Sequence, residues 1–407
     1  MTPELKGFLL LTVIKLLVVF TVTLVGVALL TLMERKVSAW MQNRRGPNRV
    51  GWAGLLQPAA DGLKNFIKEE TYPGEANGWL FLLAPALSFG PAMMLGSVIP
   101  WGAPFPATFD FTLPVLGQFV HTGTSPFVVA NLPIGFLFVL AVSSLGVYGI
   151  ALAGWSSNSK YSLLGGLRAS AQMVSYEVPL GMSLIPILLL SGNVSFSAII
   201  AEQQAGIWFV LPLFFSFFVF LVAGFAETNR LPFDMPEAES ELIAGYHTEY
   251  SAMKFSMFFI AEYANIVTVC AMTATLFFGG WDIPFTSWDQ TPGIAQTLAT
   301  AAVMFLKTMS FVFVVMWIRW TLPRFRYDQL MALGWKFMLP LSLGYVMTIG
   351  GAVWVLEDVM GLTDPTMRGL ALFGLNLILG YIVFHLIDRG VIVKGSTRPP
   401  TRAEVID

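Results

Sequence analysis

Nine apolar stretches, each close to the roughly 20 residues that a helix needs to cross a bilayer, recur at about 8–33, 79–100, 127–153, 176–192, 207–226, 253–279, 298–319, 337–356 and 370–388. That rhythm leaves little choice of fold, and the expectation is an all-α polytopic membrane protein with nine transmembrane helices. Glu177 and Pro179 interrupt the start of the fourth. Composition agrees: hydrophobic residues fill 56% of the 407 positions and charged residues only 12%, far from the usage of soluble domains. The first stretch is too long for a cleaved signal peptide and is followed at once by Glu34-Arg35-Lys36, so it is expected to stay as an anchor. A single cysteine, Cys270, excludes a disulfide within the chain and an all-cysteine iron–sulfur cluster. His121, His247 and His385 fall in separate segments and suggest neither a haem nor a metal pair. Redox chemistry must then lie in a partner or on a diffusible substrate.

Charge placement sets the topology. Of the 23 Lys and Arg residues, 19 fall in alternate connections or in the tail. Between spans one and two lie Arg35, Lys36, Arg44, Arg45, Arg49, Lys64 and Lys68, followed in later connections by Lys160 and Arg168, then Arg230 and Lys254. Arg319, Arg324, Arg326 and Lys336 come next, and Arg389, Lys394, Arg398 and Arg402 end the chain, while the opposite side holds only Lys6 and Arg368. By the positive-inside rule the N-terminus is outside and the C-terminus cytoplasmic. The outer connections 101–126, 193–206 and 280–293 contain no Lys or Arg and read as compact loops without chemistry. After span one, Leu56, Ala59, Ala60, Leu63, Phe66 and Ile67 recur at helical spacing, with Gln57, Asp61, Lys64 and Lys68 elsewhere. That is the pattern of an amphipathic helix lying in the membrane interface. The basic turn Arg44-Arg45-Gly46-Pro47-Asn48-Arg49 before it suits lipid headgroups or a protein partner.

The cytoplasmic connection between spans five and six is anomalous. It carries Glu227, Asp234, Glu237, Glu239, Glu241 and Glu249 against one strong base, Arg230. Depth follows from the helical rise of about 1.5 Å per residue. It puts Glu177 and Glu262 in the inner half of their spans, Glu227 at the inner end of its own, Lys15 near the outer face and Lys307 near mid-membrane. Ionisable groups there mark a proton or ion path or a polar ligand site. Plainer roles stand beside that one. Asp234-Met-Pro-Glu237 has capping-box spacing, so Asp234, Glu237 and Glu239 could start a helix. Glu177 and Glu262 could be neutral acids hydrogen-bonded to Tyr176 and Tyr263 or to other neighbours, Lys307 could be a structural partner, and Arg319, Arg324 and Arg326 could be ordinary basic flanks. The acids as a group must nevertheless be protonated or paired, or they repel one another.

Four blocks carry a resemblance: LMERKVSAWMQNRRGPNRVGWAGLLQPAADGLKNFIKEE, GGLRASAQMVSYEVPLG, FAETNRLPFDMPEAESELIAGYHTEYSAMKFSMFFIAEYANI and LPRFRYDQLM. Together they resemble the family of the H subunit of bacterial NADH:quinone oxidoreductase, the counterpart of subunit 1 of respiratory complex I, over about residues 5–357. The resemblance implies a core of eight spans over 1–357, leaving 358–407 as an additional transmembrane helix and cytoplasmic tail. It also implies a multi-pass protein of the bacterial inner (plasma) membrane that joins the redox arm to the membrane arm. Its partners would be redox-arm subunits, small and antiporter-like membrane subunits and lipids, with no nucleic acid. The substrate implied is a quinone, ubiquinone or menaquinone, with iron–sulfur clusters and FMN only in partner subunits and no redox or catalytic group in this chain.

Carried over residue by residue, Arg35, Arg44 and Asp61 would line or orient a quinone tunnel, with Arg230, Phe233 and Asp234 near its inner part. Glu177, Glu227, Glu237, Glu239, Glu241, Glu249 and Glu262 would begin a proton path. Quinone reduction would then shift the acidic connection and drive protons along the membrane carboxylates. The rival readings are a membrane subunit of an energy-converting hydrogenase, separable by its partners, and a stand-alone ion transporter, which would move ions unaided.

Overall fold

The computed structural model describes residues 2–113, 117–237, 239–284, 286–362 and 364–388. The basic tail from Arg389 lies outside the described residues. Among those described, eight helices are long and apolar enough to cross a membrane. They are α1 (Pro3–Met41), α3 (Gly78–Leu95), α4 (Gly135–Ser156), α5 (Lys160–Ser191), α9 (Ala252–Phe277), α10 (Ile294–Thr321), the run from α11 (Tyr327–Ala332) into α12 (Leu339–Trp354), and α13 (Pro365–Asp388). Shorter helices join them: α2 (Gln57–Ile67), α6 (Phe196–Ala205), α7 (Phe214–Glu227) and the four-residue α8 (Glu239–Leu242).

The sequence places its one interruption in the wrong stretch. The fourth is a continuous 32-residue helix that runs through both Pro179 and Pro186 and ends on the left-handed Gly192 (φ 61°). The fifth is helical only from Phe214, for 14 residues, because 207–213 forms turns instead. The outer connections also hold more structure than compact loops. Strands β1 (Phe105–Pro106) and β4 (Thr124–Ser125) pair, as do β2 (Phe109–Leu113) and β3 (Gly117–His121), and 196–205 is the helix α6. Lys15 is tied to this region, donating to Ser125 Oγ and the Pro126 carbonyl at 2.7 Å each and to Val128 O at 3.2 Å.

The bundle closes where small residues let backbones meet. A Cβ on Gly154 of α4 would lie 2.6 Å from the Ser162 carbonyl and 3.0 Å from Gly166 Cα of α5, so these two helices pack backbone to backbone. One core cluster runs from Val27 of α1 through Tyr176, Phe220, Ala271 and Met304 to Ile349. The lower part of α1 is buried at Glu34, Val37, Ser38 and Ala39, whereas its N-terminal half exposes Phe8, Leu16, Leu17 and Val22. Helix α2 buries no residue at all, and Leu63, Phe66 and Ile67 are exposed.

The last helix is fastened by polar side chains. Asn376 Nδ2 donates to the Pro212 carbonyl at 2.5 Å, and Tyr345 OH of α12 donates to Asn376 Oδ1 at 2.8 Å. Arg368 pairs with Glu357 and, at 2.7 Å, with Glu202 of α6, and it donates to the Leu190 carbonyl at 3.2 Å.

Candidate functional site

The connection between α7 and α9 is folded tightly against α5. Asn229 takes the left-handed conformation (φ 53°) that an asparagine tolerates, and this turns the chain away from α7. Gln172 of α5 holds the turn, its Nε2 donating to the Ala226 carbonyl at 2.8 Å and the Phe233 carbonyl at 2.7 Å. Further on, a Cβ on Gly245 (φ 61°) would fall 1.6 Å from the Pro236 carbonyl, so only glycine allows this loop to cross itself.

Two cavities flank this connection. The larger, of about 470 Å³, is lined by Thr31, Glu34, Arg35 and Ser38 of α1, by Arg44 and Pro47, by Arg230, by Phe259 and Tyr263 of α9, and by Arg319 and Trp320 of α10. The smaller, of about 30 Å³, is lined among others by Ser88, Glu227, Thr228, Asn229, Glu237, Tyr246, Glu262 and Asn265. It is roomy enough for a water molecule, and Ser88 Oγ and Asn265 Oδ1 are buried there without a hydrogen-bond partner among the described residues.

Arg230 joins the two. It is 5% exposed, its Nε pairs with Glu262, its Nη1 lies 3.9 Å from Glu34 Oε1 and its guanidinium sits 4.4 Å from the centre of the Tyr263 ring. Burial works against the guanidinium charge, but Glu262, Tyr263, Glu34 and Glu237 together outweigh it and raise the pKa above the usual arginine value. Glu34 is the second hub, accepting from Tyr263 OH at 2.5 Å and pairing with Arg319. Nothing in the sequence singled out Glu34, Phe259, Ser88 or Asn265 for the site. Glu34 had one visible signal, a carboxylate at the end of an apolar run beside Arg35.

The expected site residues divide as follows. Arg35 and Arg44 line the large cavity, while Asp61 reaches it through Arg35, with Nη1 to Oδ2 at 2.6 Å. Phe233 and Asp234 do not line it. Phe233 stacks on Phe325 at 5.6 Å and tilts against Tyr176. Asp234 Oδ2 accepts from Arg324 at 2.8 Å. Glu227, Glu237 and Glu262 share the small cavity, and Glu177 is near enough to feel the charge of Glu227. Glu241 instead pairs with Arg168 at 2.5 Å on the surface. Glu249 is half-buried with no partner among the described residues, and Glu239 opens α8.

Some plainer readings give way to these contacts and others hold. Tyr176 OH donates to the Leu330 carbonyl at 2.8 Å and Glu177 accepts from Ser144, since adjacent residues on a helix face different neighbours. Asp234 caps no helix, for α8 starts only at Glu239. Arg319 and Arg324 point inward to Glu34 and Asp234 rather than serving as flanks. Lys307 donates to the Phe278, Gly280 and Asp282 carbonyls at 2.7, 2.9 and 2.7 Å, closing the end of α9.

Cations brought from α5, α10 and the segment after it thus neutralise acids that a local count leaves unpaired. His247 Nε2 lies 3.0 Å from Glu237 Oε1. Burial alone would raise Glu237, but the His247 hydrogen bond and charge, with Arg230 and Arg319, hold it below the usual carboxylate range. Asp234 is pushed up to about 6, by burial first and by Glu237 second, against the pull of Arg324. Folding therefore favours its protonated form. The stability it contributes is complete below the unfolded value of about 3.9 and is lost as pH rises through about 6. Asp234→Asn removes that titration. Thermal unfolding of the detergent-solubilised protein is expected to lose this part of its slope between about pH 4 and about pH 6, and equal slopes in the two proteins would refute it.

A model of the NADH dehydrogenase family matches residues 14–350. An H subunit of the NADH-quinone oxidoreductase of Koribacter versatilis is 52% identical over 344 residues, covering 84% of this chain and 96% of that protein. An H subunit of the corresponding enzyme of Geobacter sulfurreducens is 49% identical over 339 residues, 83% and 93% of the two chains. NADH-ubiquinone oxidoreductase chain 1 of Chondrus crispus is 49% identical over 344 residues, 84% and 97%. Helix α13 lies beyond the matched residues.

Proposed function

The chain belongs to the NADH dehydrogenase family that includes the H subunits of NADH-quinone oxidoreductases, and from that premise we propose that it is the membrane subunit that admits quinone to such a complex and couples its reduction to proton movement. The observation that carries the reading is the position of Arg230. It lines the 470 Å³ cavity on one side and holds Glu262, which lines the small polar cavity, on the other.

The large cavity has the size and the mixture of aromatic walls and few polar groups that a ligand site requires. A quinone takes up two electrons from the redox chain of a partner subunit and two protons to become the quinol. As negative charge develops on its oxygens, the Arg230 and Arg319 guanidiniums stabilise it. Their hold on Glu34 and Glu262 then weakens, and those carboxylates become more basic. A proton drawn by Glu262 is passed among Glu227, Glu237 and Glu177 through the small cavity. Glu239, Glu241 and Glu249 extend the acidic rim of the same connection.

The remaining assignments rest on this reading. The N-terminus lies outside and the C-terminus in the cytoplasm of a bacterial inner membrane, with α7 as a ninth, partial span and α2 in the interface. Residues 1–357 form the working core, and 358–407 are an added helix and tail. Redox-arm subunits carrying iron–sulfur clusters and FMN close the cavity, and small and antiporter-like membrane subunits receive the protons. The hydrogenase and lone-transporter readings are not favoured, since the relatives are named as components of NADH oxidoreductases.

The mouth of the cavity supplies the direct test. The Arg35 and Asp61 side chains are 51% and 28% exposed, so their pair adds only about 0–1 kcal/mol to stability. Asp61→Asn and Arg35→Ala should leave the complex assembled and raise the KM for quinone several-fold. Unchanged quinone kinetics in both variants would remove the large cavity from the quinone path.

A further inference from the structure

We propose that Lys254 is a positioning residue that ties the segment after the cavity-mouth helix to the acidic connection, by way of an aromatic box. The proposal rests on reading the large cavity as the quinone site.

Lys254 stands in the first turn of α9, only 4% exposed, and its ammonium donates no hydrogen bond among the described residues. A buried ammonium requires a counter-charge or a π face, and both come from the strap of residues 68–77 between α2 and α3. The Tyr72 ring centre lies 3.3 Å from Nζ, and Glu70 Oε2 lies 3.0 Å from it. The strap is tied a second time, since the Thr71 backbone N–H and hydroxyl both donate to Ser251 Oγ at 2.9 Å.

The other wall of the box is Phe81 of α3, whose ring centre is 5.4 Å from Nζ. Phe81 is fully buried and stacks on Tyr250 with centroids 4.0 Å apart and planes within 6°. Tyr250 ends the acidic connection, packs edge-on against Phe258 at 5.1 Å and shares a hydrogen bond with Ser156 at 3.2 Å. Helix α2 buries nothing, so its charged ties are Asp61 to Arg35 and, through the strap, Glu70 to Lys254. One cation is thus gripped by the strap on one side and, through Phe81, by the last residue of the acidic connection on the other. A displacement of that connection reaches the cavity mouth without passing through the cavity.

The test uses the assembled membrane complex. Lys254→Met keeps the bulk and removes the charge, and Tyr72→Leu removes the exposed π face while leaving α9 intact. Hydrogen–deuterium exchange is read separately for the strap and for residues 239–251, with KM and kcat for a short-chain quinone. Exchange should rise about tenfold in both segments, KM should rise more than kcat falls, and Lys254→Arg should restore both. Loosening of the strap alone, or no change in either segment, overturns the proposal. The exchange readout is independent of where quinone binds, whereas an error in the cavity reading shows in the quinone kinetics of Asp61→Asn and Arg35→Ala.

Discussion

Arg230→Met in the assembled complex is expected to abolish quinone reduction while leaving oxidation of NADH by an artificial acceptor in place. Methionine fills much of the same space but leaves Glu262 buried beside Tyr263 with no counter-charge, and Glu34 with Arg319 alone. Removing one partner of a buried pair costs about 3–5 kcal/mol, most of which the local structure must absorb. Arg230→Lys separates charge from geometry. It keeps a cation but cannot reach Glu262, Glu34 and the Tyr263 face at once, so partial activity with a raised KM is expected. Turnover of the Met variant within about tenfold of the parent, a change of about 1.4 kcal/mol in barrier, would show that Arg230 is structural. Loss of assembly is a separate outcome, read from subunit content.

The second large effect is expected at Glu262 and Glu227. Glutamine keeps their shape and removes the titrating proton, so Glu262→Gln and Glu227→Gln should each stop quinone-coupled turnover and proton translocation. Assembly and electron entry from NADH should persist. Glu241→Gln is the internal contrast, because that residue pairs with Arg168 on the surface and should retain near-normal pumping. Full proton translocation in both buried-site variants would remove these carboxylates from the path.

The fold was legible to the extent that it depends on long apolar runs, because the cost of unsatisfied backbone in lipid forces such runs into helices. What escaped was the behaviour of particular residues within them. Pro179 looked like a breaker but is carried inside α5, whereas the real break, at 207–213, holds Pro212, a proline that went unremarked inside an apolar run. The acids Glu227, Glu237 and Glu262 stood out because charge is costly beside apolar sequence, and they do share one cavity. The cations that pair with Glu241, Glu34 and Asp234 did not stand out. Arg168, Arg319 and Arg324 lie 73, 285 and 90 positions from the residues they meet, and a count of neighbouring charges cannot register such pairs. Phe233 and Asp234, expected near the inner part of a quinone tunnel, pack on Phe325 and Arg324.

The fastening of α13 bears on how chains of different length can share one architecture. In the turn before α7 the Pro212 carbonyl accepts from Asn376 Nδ2 of α13, and Tyr345 of α12, donating to Asn376 Oδ1, holds that amide in place. The last helix is therefore fastened to the turn before α7 rather than merely appended. Without that helix the Pro212 carbonyl would lose the Asn376 donor. In this chain the last helix and the break before α7, 164 positions apart at Asn376 and Pro212, thus form one structural unit.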